Sequence, residues 1–183
     1  MKKSPVVTIV AIGIGAALFF VLGRFVAIPS PIPNTNISIQ YALLAFMATL
    51  FGPIAGLLIG FIGHMLVDLS YGWGVWWSWV IASGAAGLVM GLGANKIDLA
   101  GGKFGKPEIL RFNIYQIVAH AASWVVIAPI LDILMFAEPF DKVFLQGAFA
   151  SLANIVTTGV VGTLLCVAYS AAKPKKGSLS KEA

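Results

Sequence analysis

The sequence predicts an all-α integral membrane protein with six transmembrane helices and both termini in the cytoplasm. Composition, the length of the apolar runs and the placement of the basic residues support this fold class. Of 183 residues, 59% are hydrophobic and only 10% are charged, which lies well outside the range of soluble globular domains. The apolar runs approach the roughly 20 residues that a helix needs to cross a bilayer. We therefore expect a single membrane domain over residues 1–183, with a basic cytoplasmic tail over residues 172–183.

The six predicted spans follow one another with mostly short connections. They are Pro5–Ile28, Ile37–Phe51, Pro53–Leu69, Val75–Ala94, Phe112–Met135 and Val143–Ala171. The first span is too long for the apolar part of a signal peptide, so we expect it to be a retained helix. The second and third spans are short and meet at a tight Phe51-Gly52-Pro53 turn. Together they predict a short hydrophobic helical hairpin.

The basic residues predict the orientation of the chain. Ten of the twelve lie in three clusters, at the N-terminus, between spans 4 and 5, and at the C-terminus: Lys2, Lys3, Lys96, Lys103, Lys106, Arg111, Lys173, Lys175, Lys176 and Lys181. An even number of spans places all three clusters in the cytoplasm, as the positive-inside rule requires. The other side then carries Asp68, Asp132, Glu138 and Asp141. No basic–aromatic interleaving indicates a nucleic-acid partner.

The sequence carries no recognisable catalytic or nucleotide-binding motif. The Gly-rich segment Gly101–Lys106 lacks the spacing of a phosphate-binding P-loop. No serine lies in a nucleophile elbow. We expect a protein that is not an enzyme and has no cofactor of its own. Any uphill transport must then take its energy from a partner or an ion gradient.

His64 and Asp68 are four residues apart and share one face of span 3. A metal site would need further ligands, for which His120 and Asp132 are the distant candidates. A histidine satisfied by hydrogen bonds across helices is the simpler interpretation, so we predict no metal site. Cys166 lies alone in an apolar run and is expected to be a small core residue.

Aromatic and amide side chains concentrate on the predicted external side. Four tryptophans fall between Trp73 and Trp79, more than membrane anchoring alone requires. The loop before span 2 is stiffened by prolines and offers uncharged donors and acceptors. Such a site suits a large neutral ligand that carries amide groups. The predicted ligand-binding residues are Asn34, Asn36, Tyr71, Trp73, Trp77, His120, Trp124 and Asn154.

Span 1 carries two overlapping ridges of small residues. Ala11 and Gly15 form one ridge, and Gly13 and Ala17 form the other. Small residues let helix backbones approach closely where lipid supplies no hydrophobic drive. Most such ridges serve internal packing, but on this otherwise bulky helix they also predict a docking surface for a partner.

Two segments resemble the S component of energy-coupling factor (ECF) vitamin transporters. GPIAGLLIGFIGHMLVDLSYG, from Gly52 to Gly72, resembles the turn and the Gly-rich third helix of that family. AIGIGAAL, from Ala11 to Leu18, occupies the place of the family's small-residue motif, although it has Ala11 and Gly15 rather than two alanines. IPSPIPNTNI and WWSWVIASG make the chain most similar to the group that contains cobalamin-specific members.

The resemblance implies a binding subunit in a bacterial plasma membrane. Such a subunit captures its vitamin externally, docks through helix 1 on a transmembrane coupling subunit served by two ATPases, and topples to release the vitamin inside. The implied ligand is cobalamin, and the implied docking residues are Ala11, Gly13, Gly15 and Ala17. A large side chain at Ala11 or Gly15 is then expected to block docking and spare ligand binding.

Two alternatives remain open from the sequence. One is an S component for a smaller vitamin, such as riboflavin, thiamine or a pyrimidine precursor. The other belongs to a different class, an intramembrane metal-binding protein or enzyme that uses His64, Asp68 and His120.

Overall fold

The computed structural model describes residues 4–72 and 74–173. Trp73, Lys2, Lys3 and the tail beyond residue 173 lie outside the described residues.

The described chain is built from helices that run back and forth. They are α1 (Pro5–Phe25), α2 (Gln40–Phe51), α3 (Pro53–Tyr71), α4 (Trp77–Gly93), α5 (Lys106–His120), α6 (Ala128–Phe136), α7 (Phe140–Thr157) and α8 (Thr163–Ala172). A 3-10 turn, Ala94–Lys96, follows α4. Two π-helical segments, Ala121–Ile127 and Thr158–Gly162, join α5 to α6 and α7 to α8. The predicted all-α membrane fold is thus found in the described residues.

Five continuous helices are long and apolar enough to cross a membrane, among the described residues. They are Pro5–Phe25, Pro53–Tyr71, Trp77–Lys96, Lys106–Phe136 and Phe140–Ala172. The sixth predicted span is the shorter apolar helix α2, of 12 residues. Each predicted span therefore corresponds to helix, although several ends differ.

Two helix ends differ from the prediction at loop 1, which we define as residues 26–39. Helix α1 ends at Phe25 rather than Ile28, and α2 begins at Gln40 rather than Ile37. Proline lacks the N–H that a helix interior needs, so Pro29, Pro31 and Pro33 keep this stretch out of the helices. Two short strands instead pair antiparallel, β1 (Ile28–Pro29) with β2 (Asn36–Ile37). The sequence analysis did not predict this hairpin.

The fifth span also begins earlier than predicted. Helix α5 starts at Lys106, where the Gly105 N–H donates a hydrogen bond to the Glu108 carboxylate at 2.9 Å. This contact is one half of a capping box, and Pro107 is favoured in a first helical turn. These local signals start the helix six residues before the apolar run that predicted it.

The predicted hairpin of α2 and α3 is confirmed at its turn. Gly52 has φ of 92°, a conformation that favours glycine, and its N–H donates to the Ala48 carbonyl at 2.8 Å. Pro53 then opens α3 at a position where a missing N–H costs nothing.

Helices α3 and α4 pack backbone against backbone. A Cβ added at Gly87 would overlap the carbonyl group of Gly56, and a Cβ added at Gly56 would lie 2.8 Å from the Ala48 Cβ. Gly60 meets the Ser83 carbonyl in the same way. This close approach joins the first half of α3 to the second half of α4, at the end of the hairpin that lies away from the candidate site.

Candidate functional site

A cavity of about 520 Å³ lies where loop 1 meets the outer ends of the helices. Its wall is formed by the beginning of α2, the last turns of α3, the beginning of α4, the first π segment, α6 and α7. The cations Lys96, Lys106 and Lys173 are at the other ends of α4, α5 and α8. The Ser170 hydroxyl donates to the Gly102 carbonyl at 2.7 Å, which joins two of these basic regions. The cavity and the basic face are therefore at opposite ends of the bundle.

Loop 1 is held by its own hydrogen bonds and by one long-range contact. The Ser30 hydroxyl donates to the Thr35 carbonyl at 2.6 Å, and Asn34 adopts a left-handed backbone with φ of 56°. Asparagine tolerates that conformation better than most residues. The Gln146 amide on α7 donates to the Pro33 carbonyl at 2.8 Å. This bond connects the loop to the far wall of the cavity.

Asp132 organises the aromatic wall of the cavity. Its Oδ1 accepts a hydrogen bond from Trp76 Nε1 at 2.6 Å and another from the Ser78 hydroxyl, and its Oδ2 accepts one from Trp79 Nε1 at 2.6 Å. The Trp79 ring stacks on Trp124 with centroids 5.5 Å apart and planes at 21°. One buried carboxylate therefore sets the orientation of two tryptophans, and through Trp79 it supports a third.

His120, which lies behind the aromatic wall, links the two π segments. The Trp124 Nε1 donates to His120 Nδ1 at 2.9 Å, and His120 Nε2 lies 3.0 Å from the Thr158 hydroxyl. His120 is fully buried and is not among the residues that line the cavity. It therefore supports Trp124 from behind. π turns occur frequently at functional sites.

His64 is part of a hydrogen-bonded chain that ends at the cavity. Its Nδ1 contacts the Ser83 hydroxyl at 2.5 Å, and Ser83 lies 2.8 Å from the Tyr41 hydroxyl. Its Nε2 lies 3.6 Å from Asp68 Oδ1, so the predicted shared face is confirmed. Among the described residues, no three His, Cys, Asp or Glu side chains group as metal ligands. The second carboxylate considered for such a site, Asp132, is engaged by the tryptophans.

The structure brings most of the predicted ligand-binding residues together. Asn34, Asn36, Tyr71, Trp124 and Asn154 line the cavity. Their contact with a ligand stays a prediction.

Trp77 lies elsewhere and does not line the cavity. Its side chain is 40% exposed, and its ring centroid is 6.0 Å from that of Phe61. Trp76 and Trp79 take its place on the wall, although the sequence analysis left them out. Because α4 begins at Trp77, Trp79 and Trp77 are two residues apart on a helix and point in different directions. The helix register of the aromatic run was the missed signal, because it distinguishes Trp79 from Trp77.

The predicted docking residues divide between two faces of α1. Ala11 and Gly15 are buried, and a Cβ on Gly15 would lie 2.6 Å from Ile59 Cδ1 and 3.2 Å from Met47 Cε. Gly13 and Ala17 are exposed, and nothing lies within 4 Å of a Cβ built on Gly13. The expectation that bulk at Ala11 or Gly15 spares ligand binding therefore needs correction, because bulk there disturbs packing inside the bundle.

A family model and several curated relatives match nearly the whole chain. A family model described as "ECF-type riboflavin transporter, S component" matches residues 3–171. Proteins named UPF0397 are 52% identical over 99% of both chains in Enterococcus faecalis, and 51% identical over the full length of both in Clostridium perfringens. A UPF0397 relative in an Exiguobacterium species is 55% identical over 96% of both chains.

A solved structure shares the fold. It is described as FolT bound with folic acid and superposes with a TM-score of 0.63 at 16% identity, covering 86% of this chain and 95% of that chain. The likeness shows the fold of the described helices. The comparisons do not support the cobalamin-specific group that loop 1 and the tryptophan-rich segment resemble.

Proposed function

The chain belongs to the family of ECF-type riboflavin transporter S components, and from that premise we propose that it captures a small heteroaromatic vitamin at the external face of a bacterial plasma membrane. The observation that carries the proposal is the cavity of about 520 Å³, which is covered by loop 1 and walled by tryptophans and amides. Small-molecule sites are typically concave, largely apolar and equipped with a few placed polar groups.

A small vitamin replaces cobalamin as the proposed ligand. The cavity volume of about 520 Å³ lies within the ~300–1,000 Å³ range of small-molecule sites. A two- or three-ring vitamin fits such a space beside the Trp79–Trp124 stack, whereas a corrin with its nucleotide loop is much larger. Flat rings also gain from stacking on aromatic side chains.

Titration calorimetry of the detergent-purified protein tests this proposal directly. The ligands are riboflavin, thiamine, hydroxymethylpyrimidine and cobalamin. We expect one small vitamin to bind with one-to-one stoichiometry and cobalamin to give no heat. Binding of cobalamin alone would contradict the proposal and would favour the cobalamin-specific group that the sequence segments resemble.

The aromatic wall provides a matched pair of variants for the same titration. Trp124→Phe removes ring area and the hydrogen bond to His120, and we expect about tenfold weaker vitamin binding, near 1.4 kcal/mol. Trp77→Phe changes an exposed ring outside the cavity and is expected to leave affinity unchanged. Equal effects of the two substitutions on affinity would show that the aromatic wall makes no specific contribution to vitamin binding.

The proposed topology has six spans with both termini in the cytoplasm. The basic ends of α4, α5 and α8 lie opposite the cavity, which agrees with the positive-inside rule. The cavity then opens toward the external medium, where a vitamin is captured before transport.

The proposed partners are a transmembrane coupling subunit and two ATPase subunits. The proposed contact is the outward face of α1, where Gly13 and Ala17 leave the backbone accessible beside the exposed Ile9 and Ile14. Small residues allow a partner helix to approach closely in lipid.

Substitutions on the two faces of α1 separate docking from folding. Gly13→Trp is expected to keep the thermal unfolding midpoint and vitamin binding, and to abolish co-purification with the coupling subunit. Gly15→Trp is expected to unfold the protein because its side chain meets Ile59. Leu164→Trp adds a ring to an exposed position of α8 and serves as the control for membrane-facing bulk. Normal co-purification of Gly13→Trp would place the docking surface elsewhere.

A further inference from the structure

We propose that the cavity selects a positively charged heteroaromatic ring, so that the captured vitamin is a cation rather than a neutral or anionic molecule. This inference rests on the proposed function and narrows its ligand to a chemical class. The inference is based on three kinds of group that line the cavity, which are the carboxylates, the indole rings and the Asn154 amide.

Three acidic side chains and one basic side chain line the cavity, so their formal charges do not balance. They are Asp68, Asp132, Glu138 and Lys142. Lys142 Nζ lies 2.6 Å from Glu138 Oε2, so these two side chains neutralise each other at the rim. Asp68 and Asp132 then remain, with no lysine or arginine to pair with among the described lining residues.

The two remaining carboxylates are both well buried. Asp132 is 1% exposed, and its three hydrogen-bond donors are two indoles and a hydroxyl, which orient the carboxylate without cancelling its charge. Asp68 is 7% exposed and accepts the Trp76 backbone N–H at 2.9 Å.

The other positive groups at this end do not remove the excess. His64 lies 3.6 Å from Asp68, so a protonated His64 would compensate Asp68 and still leave Asp132. Arg24 is not among the lining residues, and its guanidinium carbon lies 4.4 Å from the centroid of the Tyr71 ring. Asp132 therefore lines the cavity with no ion pair to a cationic side chain among the described residues.

A ligand cation satisfies this site better than any other ligand charge. Opposite charges attract strongly in a site shielded from water, and an anion would meet repulsion from the same carboxylates. The half-buried Trp79 on the cavity wall adds a second preference, because the face of an indole attracts a cation. Carboxylates and indoles thus favour the same ligand class for independent physical reasons.

Asn154 offers a polar ligand an unpaired amide in the cavity wall. It is only 5% exposed, lines the cavity, and its side-chain amide makes no hydrogen bond within the described chain. Buried amides are normally hydrogen-bonded, since an unpaired one is costly. A ring nitrogen or an exocyclic amino group of the ligand can supply the missing partner.

A charge series of ligands on the unaltered protein tests the proposal first. The probes are thiamine, which carries a permanent thiazolium charge, riboflavin, which is neutral, and folate, which is anionic. Pyridoxamine and pyridoxine form a further pair that differs mainly in an ammonium group. We expect thiamine to bind at least about tenfold tighter than riboflavin or folate, and pyridoxamine to bind tighter than pyridoxine.

Removing one carboxylate charge tests the same idea from the protein side. Asp68→Asn keeps an oxygen for the Trp76 N–H and is expected to weaken thiamine binding about tenfold or more. Asp141→Asn removes a charge from an exposed position outside the cavity and is expected to change nothing. Thermal unfolding of both variants confirms that they are folded before titration.

The outcomes distinguish the inference from the proposed function. Tight thiamine binding that Asp68→Asn weakens supports both. Tighter binding of riboflavin or folate than of thiamine keeps the small-vitamin function and overturns the cation selectivity. Tight thiamine binding that survives Asp68→Asn overturns the role of this carboxylate. Failure of every small vitamin to bind overturns the proposed function and the inference with it.

Discussion

Asp132→Ala is expected to abolish vitamin binding and to destabilise the protein strongly. The substitution removes the acceptor for Trp76 Nε1, Trp79 Nε1 and the Ser78 hydroxyl in one step. An orphaned buried donor costs about 1–3 kcal/mol, so three donors bring the expected loss of unfolding free energy to about 3 kcal/mol or more. Thermal unfolding in detergent, followed by titration with the vitamin, measures both effects.

Two further substitutions make that result interpretable. Asp132→Asn keeps one acceptor oxygen and is expected to fall between wild type and Asp132→Ala in stability. Asp141→Ala removes an exposed carboxylate near the same end of the bundle and is expected to have little effect. A wild-type unfolding midpoint for Asp132→Ala would show that the three hydrogen bonds contribute little to stability.

Gly87→Ala is expected to produce a large loss of stability for one added methyl group. The new Cβ would overlap the Gly56 carbonyl group, and backbone atoms cannot move aside as a flexible side chain does. Overpacking of this kind costs about 1–3 kcal/mol, and we expect the upper end here because α3 and α4 must separate. The thermal unfolding midpoint in detergent is the measurement.

Gly84→Ala is the matched control, three residues earlier on the same helix. A Cβ at Gly84 would lie 3.4 Å from the Leu57 carbonyl oxygen, an ordinary contact, so its midpoint is expected to stay near that of the wild type. Replacing glycine by alanine also favours helix to the same degree at both positions. Similar midpoints for the two variants would contradict the close backbone packing.

The sequence predicted those elements that depend on residues close together in the chain. The turn between α2 and α3 was predicted because Gly52 and Pro53 act on the backbone at their own positions, and the structure has the turn there. The residues of loop 1 that line the cavity were predicted for a similar reason, since prolines and amides mark an irregular polar segment. The hairpin within loop 1 was missed because two-residue strands carry no periodicity.

Long-range contacts account for what the sequence analysis missed at the site. Asp132 meets Trp76 across 56 positions of sequence, and Gln146 meets Pro33 across 113. Neither pair has a spacing signal, because each depends on how whole helices pack. Trp77 was favoured over Trp79 for a related reason, since composition identifies an aromatic cluster but only the helix register tells which rings face inward.

The two π segments allow one inserted or deleted residue to change which side chains form the wall of the candidate site. A π turn holds about one residue more than an α turn, and one residue corresponds to a rotation of about 100°. Deleting one residue from Ala121–Ile127 would keep a helix but turn its outer half, which carries Asp132, relative to its inner half. Homologous proteins can therefore acquire a different set of wall residues through a single-residue insertion or deletion, a step that exchanges several side chains at once where a point substitution exchanges one.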